Sequence, residues 1–355
     1  MPRIAWVTNV GAPYRHRVWA AMAHATELQV GLLADNEPNR RWSADLPTGV
    51  PRLRTKAVAL HRGKLHLYLL RRPALHGRLD VVILPGWELP ASWQLLIEAK
   101  LRRVRTVAFY ESSAGSHRFA TGPVAFLRRR YFRSVDAVVT VGEASTRAVL
   151  GFGVSAERVV RTDNTVDVAA IHSAAQGASV EDRRDTYICL GQLIHRKNVD
   201  GLLEAFAKLP ASARLVVAGE GPEEASLRAR ASRLGVSDRV DFRGYVPYAQ
   251  VPELLSEAAT LVLASRTEVY GLVVVEALAG GLHVVVADNS GVFADVRELT
   301  GVFPAQSTPA SIASAMCRSA EDWTGPVDQP TILARTPEAM ADDVVRACAV
   351  ARARR

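Results

Sequence analysis

The 355 residues are 48% hydrophobic and 23% charged, a globular composition in a chain longer than one typical core, so two domains are expected. No apolar run reaches the roughly 18–20 residues of a membrane span, and "MPRIAWVTNV" reads as a first strand without the basic-then-apolar layout of a signal peptide. The net charge of +8 is uneven, with 25 Lys and Arg against 12 Asp and Glu in residues 1–165 and 19 against 24 in the remainder.

In chain order, the first half gives strand patterns at 3–8, 27–33, 79–85, 104–110 and 135–141, with amphipathic segments at 88–102 and 121–133 among those between them. Continuous apolar strands separated by helices indicate parallel sheets covered on both faces. The second half repeats the plan, with strands at 186–191, 213–219, 239–244, 260–265 and 283–288, and helices near 199–208, 223–234, 249–258, 271–280 and 308–321. The least strand-like join, 162–185, is the expected interdomain linker. A last amphipathic helix, 337–352, has no strand after it and is expected to fold back onto the first domain. The fold class is therefore α/β, two doubly wound parallel-sheet domains (1–165 and 166–335) followed by a C-terminal helix (336–355). A ligand cleft is expected at the carboxyl ends of both sheets.

The charge clusters Arg52/Arg54/Lys56, Arg71/Arg72, Arg102/Arg103/Arg105 and Arg128/Arg129/Arg130 all fall in the first half. They suit an anionic partner such as a phospholipid surface or a lipid-phosphate acceptor. A plain solvated face competes with that reading, since only five of the 44 basic residues are Lys. Nucleic acid is disfavoured, because no stacking aromatics are interleaved. The three cysteines (Cys189, Cys317, Cys348) are scattered without metal-ligand spacing, so a reduced, cytoplasmic setting is expected.

Four stretches carry chemistry. In "SRTEVYGLVVVEALAGGL" (265–282) a strand runs into a loop bearing Glu268, and a helix starts at about Gly271. Free backbone N–H groups and the helix dipole there suit a phosphate. Glu276, some 7–8 Å further along the axis at ~1.5 Å per residue, can accept hydrogen bonds from a vicinal diol such as ribose, while Glu268 lies towards a sugar. The competing reading is a helix-entry acid and a buried acid paired with an arginine. In "LGQLIHRKNVDGLLEAF" (190–206), Arg196 and Lys197 follow a strand end and suit a diphosphate. "VAGEGPEEASL" (217–227) has Gly219-x-Gly221 after a strand but no third glycine, so a tight turn into a helix is the safer reading. In "VTNVGAPYRHRVW" (7–19), Gly11 allows close backbone approach to a ligand. No Asp-x-Asp, His/Cys cluster, Gly-x-Ser-x-Gly elbow or Walker loop occurs.

The succession of the GQL…RKN loop, the GEGPE turn, "VDFRGYVP" and "SRTEVYGLVVVEALAGGLHVVVAD" resembles family 4 of the retaining, GT-B glycosyltransferases (glycosyl transferases group 1), most strongly over 185–300. The resemblance implies a GT-B fold and transfer of a sugar from a nucleotide-diphosphate donor, with no metal and no cofactor beyond that co-substrate. It places Arg196 and Lys197 on the donor diphosphate, Glu268 against the sugar, Gly271 and Leu272 at the phosphate amides, and Glu276 on the ribose hydroxyls. Tyr245 and Val246 fall where the family contacts the base, Gly11 near the diphosphate, and Tyr270 within the donor stretch. Two departures stand out. The usual Gly-Arg at the end of strand 186–191 is Gly191-Gln192, and the usual histidine after Tyr110 is replaced by "FYESSAGSHRF", where Glu111 or His117 takes its part. Glu268, Arg196, Lys197 and His117 are thus the candidate catalytic residues. The acceptor is expected to be a hydroxyl of a cell-envelope glycan or lipid-linked molecule, met at the inner face of the membrane. A soluble secondary metabolite, a non-catalytic sugar-nucleotide-binding homologue and a nicotinamide oxidoreductase are the alternatives.

Overall fold

The computed structural model describes residues 1–35, 45–55, 57–62, 65–71, 73–113, 115, 119–176 and 180–354. The candidate His117 and the cluster members Lys56 and Arg72 lie outside the described residues. The described chain divides into two compact units, Met1–Asn164 with Pro337–Arg355, and Thr165–Thr336.

The first unit is built on β1 (Arg3–Thr8), β2 (Glu27–Leu32), a hairpin of β3 (Ala57–Arg62) and β4 (Leu65–Leu70), then β5 (Val81–Leu84), β6 (Arg105–Tyr110), β7 (Ala137–Val141) and β8 (Val159–Thr162). Six of these form one parallel sheet in the order β2-β1-β5-β6-β7-β8, and β3 pairs with β4 antiparallel. The strands β5 and β7 are buried at every residue, as strands covered on both faces must be. The crossovers are α1 (His16–Ala25), α2 (Pro90–Leu101), α3 (Gly122–Ser134) and α4 (Gly142–Gly151).

The second unit opens with α5 (Val168–Gln176) and α6 (Val180–Arg183), inside the segment expected to be the interdomain linker. The helices belong to this unit's core because Val168, Ile171 and Ala175 make a buried stripe at helical spacing. Arg183, itself buried, donates from Nε to the Ala258 carbonyl at 3.1 Å and lies over the Trp323 ring. Burial lowers its pKa. Then β9 (Thr186–Leu190), α7 (Val199–Phe206), β10 (Arg214–Ala218), α8 (Glu224–Arg233), β11 (Val240–Gly244), α9 (Val251–Ser256), β12 (Thr260–Leu263), α10 (Leu272–Ala279), β13 (His283–Ala287), α11 (Phe293–Val296), β14 (Val302–Ala305) and α12 (Pro309–Asp322) alternate. The six strands are parallel in the order β11-β10-β9-β12-β13-β14, the doubly wound order whose direction reverses between β9 and β12. Ligands of such sheets bind at the carboxyl edge of that reversal.

The chain closes with α13 (Pro330–Leu333) in the second unit and α14 (Pro337–Ala353) in the first, where α14 packs on α1 and along β6, β7 and β8. Among the described residues no helix is long and apolar enough to cross a membrane. The pattern reading foresaw neither the β3–β4 hairpin nor β8, α4 and β14. The hairpin falls outside residues 185–300, where the resemblance is strongest, and β8 and β14 are four residues long.

Candidate functional site

Two loops leave the neighbouring strands β9 and β12 at the point where the strand order reverses. After β9 the chain makes a 3-10 turn, His195–Lys197, stopped by Asn198 in the left-handed region (φ 58°). Asparagine tolerates that conformation better than most residues. Its side-chain amide donates to Ala264 O at 2.9 Å and Ser307 O at 3.0 Å, tying the turn to the loops after β12 and β14. After β12, Arg266 adds a second tie. Its backbone N–H donates to Arg196 O at 2.8 Å and its guanidinium to His195 O at 2.6 Å. The same guanidinium grips both oxygens of Asp200 at 3.0 and 2.7 Å.

The ties bring Arg196, Lys197 and Glu268 together. Arg196 Nη1 lies 3.0 Å from Glu268 Oε1, and Lys197 Nζ 2.5 Å from Oε2. The Ser265 hydroxyl, at 3.2 Å, and the Val269 N–H, at 3.2 Å, complete the carboxylate's partners. Burial alone raises the pKa of Glu268, but Lys197 and then Arg196 outweigh it and hold the carboxyl below its ordinary value. The two cations thus offset the burial that disfavours the charged form of Glu268.

Two residues after Val269, Gly271 caps α10 with φ 102°, in the region only glycine enters freely. A Cβ there would meet Leu263 Cδ2 at 2.8 Å and Glu268 Cγ at 3.5 Å. The N–H groups of Leu272 and Val273 at the helix start therefore lie beside the Glu268 cluster, while that of Val274 already donates to Gly271 O at 3.0 Å. From Val274 onward the helix α10 is buried, with Val274, Val275, Ala277 and Leu278 fully enclosed, while Leu272 and Val273 are half-buried. Glu276 is buried among them, and among the described residues none pairs with its carboxylate, so the arginine partner of the competing reading is absent there. Burial pushes its pKa up to about 7.

The other candidates fall as follows. Tyr270 is buried, its hydroxyl 3.5 Å from Arg335 Nη1. Tyr245 is exposed and Val246 half-buried, directly after β11 on the same sheet edge. Gly219 and Gly221 serve close packing: a Cβ would stand 1.8 Å from Gly191 O at the first and 2.2 Å from Leu193 O at the second. In the first unit, Gly11 is buried between β1 and the turn Pro13–Arg15. Glu111 pairs there with the buried Arg15, whose guanidinium also lies 4.6 Å from the Phe109 ring centre. The sequence reading missed Arg15, Asn198, Asp200, Ser265 and Arg266. Only Asn198 carried a local signal, a turn-forming residue between a basic pair and a helix.

Two doubly wound parallel units, the second with cations and a glycine-capped helix at its switch point, define the GT-B class of fold. Residues 174–324 match the family model described as glycosyl transferases group 1. An uncharacterised glycosyltransferase of Methanocaldococcus jannaschii is 31% identical over 147 residues, covering 41% of this chain and 38% of the relative. One component of the phosphatidylinositol N-acetylglucosaminyltransferase of Arabidopsis thaliana is 30% identical over 164 residues, covering 44% and 36%. The chain thus spans well under half the length of these curated relatives. Among solved structures, Anabaena Alr3699/HepE in complex with UDP superposes with a TM-score of 0.68 at 19% identity, covering 98% of this chain and 97% of that one.

Proposed function

We propose that the protein moves a sugar from a nucleotide-diphosphate donor to an acceptor hydroxyl, with retention at the anomeric carbon, as a hexosyltransferase of family 4. The observation that carries this reading is the cluster of Arg196, Lys197 and Glu268 beside the capping Gly271 of α10, on the switch-point edge of the second unit. A diphosphate set on the α10 amides is neutralised by the two cations, which lend charge to it while keeping Glu268 ionised. Glu276 takes two hydrogen bonds from the ribose hydroxyls, the partners it otherwise lacks. Tyr245 and Val246 border the base, Glu268 the sugar, and Gly11 belongs to the donor-side loop of the first unit.

In the reaction the bond from the anomeric carbon to the diphosphate oxygen breaks while the acceptor oxygen bonds to the same face. The acceptor proton passes to a diphosphate oxygen. Arg196, Lys197 and the helix start stabilise the charge that grows on the leaving group, an electrostatic contribution. The basic first unit supports an anionic or lipid-linked acceptor met at a membrane's inner face, in keeping with the phosphatidylinositol named for the plant relative. A thermal-shift screen against nucleotide sugars, followed by transfer assays, tests the proposal. Stabilisation by one donor that Lys197→Ala removes is expected. Stabilisation without transfer or hydrolysis reduces the protein to a sugar-nucleotide binder, and no stabilisation by any nucleotide sugar overturns the reading.

A further inference from the structure

Among the described residues, four large apolar side chains left exposed fall within one nine-residue stretch: Phe119 (47%), Val124 (37%), Phe126 (67%) and Leu127 (49%). Three of them belong to α3. That helix buries its other face through Ala125, Arg128, Tyr131 and Phe132, so its outward face is a product of the fold and not of fraying. Phe126 and Arg130 stand four residues apart and share that face. Arg129 and Arg130 are exposed beside the apolar residues, while Arg133 Nε is tied to the Phe152 carbonyl at 3.0 Å. Neither Arg129 nor Arg130 has a carboxylate partner among the described residues. No acidic residue occurs anywhere between Glu111 and Asp136. Single exposed apolar residues are ordinary. A contiguous cluster rimmed by unpaired cations is the composition of a helix that lies in a membrane interface.

We propose that the outward face of α3 docks on an anionic phospholipid bilayer, with Phe126 and Leu127 entering the acyl boundary and Arg129 and Arg130 meeting lipid phosphates. A second copy of the chain fits this face poorly. A two-fold contact through it sets the same arginines against one another with no acid to separate them. The segment also leaves the carboxyl end of β6, the edge at which such sheets take ligands. The proposal deepens the lipid-linked acceptor reading and rests on it only for the purpose of docking.

The test is co-sedimentation of the full chain with vesicles of phosphatidylcholine alone and of phosphatidylcholine mixed with phosphatidylglycerol. Wild type partitions onto the mixed vesicles, and less as salt rises. Phe126→Ser with Leu127→Ser, and separately Arg129→Gln with Arg130→Gln, each lower the partition roughly tenfold. Thermal stabilisation by UDP stays at the wild-type value in both variants, which shows that they fold and separates docking from donor binding. Absence of partition, equal partition of the variants and wild type, or a solution dimer dissolved by the apolar double substitution overturns the proposal. Docking without sugar transfer leaves it standing and counts only against the transferase reading.

Discussion

Lys197 Nζ and Glu268 Oε2 stand 2.5 Å apart, with the lysine side chain 17% and the glutamate 8% exposed. Glu268 is the counter-charge that allows two cations to sit side by side on one edge of a sheet. Glu268→Gln leaves two cations without their counter-charge and should destabilise the fold by about 3 kcal/mol in urea unfolding, whereas Lys197→Ala leaves Glu268 its bond to Arg196 and should cost less. The double variant should lose clearly less than the sum. The acid limb follows from the lowered carboxyl of Glu268. Its contribution is complete above the ordinary glutamate range and is lost as the pH falls through the lower folded value. Glu268→Gln should flatten that limb. A variant with the wild-type acid profile would show that the pair adds nothing.

Glu276 titrates in the opposite sense. Its folded pKa is raised to about 7 from 4.5, so the native state keeps a proton that the unfolded chain releases. Its contribution is complete below pH 4.5 and disappears as the pH rises to about 7, a span worth up to ~3 kcal/mol. Wild-type stability should therefore fall between pH 5 and pH 8, and Glu276→Gln should reduce the fall. If ribose hydroxyls hydrogen-bond this carboxylate, donor binding ionises it and releases up to one proton near neutral pH. Calorimetry in buffers of different ionisation enthalpy measures that release, which Glu276→Gln should abolish along with most of the affinity. Buffer-independent binding heat in wild type would remove Glu276 from the donor site.

Glu276 also marks where the sequence is legible. The run around it is apolar on every side, so a buried helix carrying a buried acid follows from pattern alone, as do the strands whose apolar runs are continuous. The glycine at 271, the basic pair and their position at strand ends are likewise local features. What pattern cannot supply is a contact between distant residues. Asp200 and Arg266 are 66 positions apart, and neither has a periodicity or neighbour that announces the other. The short strands β8 and β14 and the hairpin escape pattern reading for a related reason: four residues, mixed in polarity in β8 and interrupted by Pro304 in β14, are too few to set a period, and an antiparallel pair depends on a partner. The glycines of the GEGPE turn have the look of a phosphate loop, but the carbonyls of Gly191 and Leu193 occupy the space that their missing side chains leave.

The Asp200–Arg266 pair is a positioning device. It touches the backbone of His195 and Arg196 but none of the groups assigned to the donor. Arg266→Lys keeps the charge and loses the two-pronged grip. We expect it to raise the KM for the donor about fivefold, with a smaller change in kcat and under about 1 kcal/mol of stability, since the pair is partly solvated. Asp200→Asn should do the same, and the two effects should not add. Unchanged donor KM in both variants would reduce the pair to a surface ornament of the fold.

Gly219 and Gly235 make a controlled comparison, because both have positive φ, 134° and 70°. A Cβ at Gly235 meets nothing within 4 Å, whereas one at Gly219 stands 1.8 Å from the carbonyl of Gly191. Gly235→Ala should cost about 1–2 kcal/mol, the strain of the left-handed backbone alone. Gly219→Ala carries at least that strain, since φ 134° lies beyond the left-handed well, and must also push the end of β9 aside, so it should exceed about 3 kcal/mol. The displaced residue is Gly191, over which the Lys197 side chain passes: a Cβ at Gly191 would lie 3.6 Å from Lys197 Cε. The damage should therefore reach function. Gly219→Ala should weaken thermal stabilisation by the donor, while Gly235→Ala, at the end of α8, should leave it intact. Equal stability losses in urea and equal donor responses would mean that the β9 loop yields readily, and that the cation pair is not held to its place by the strand beneath it.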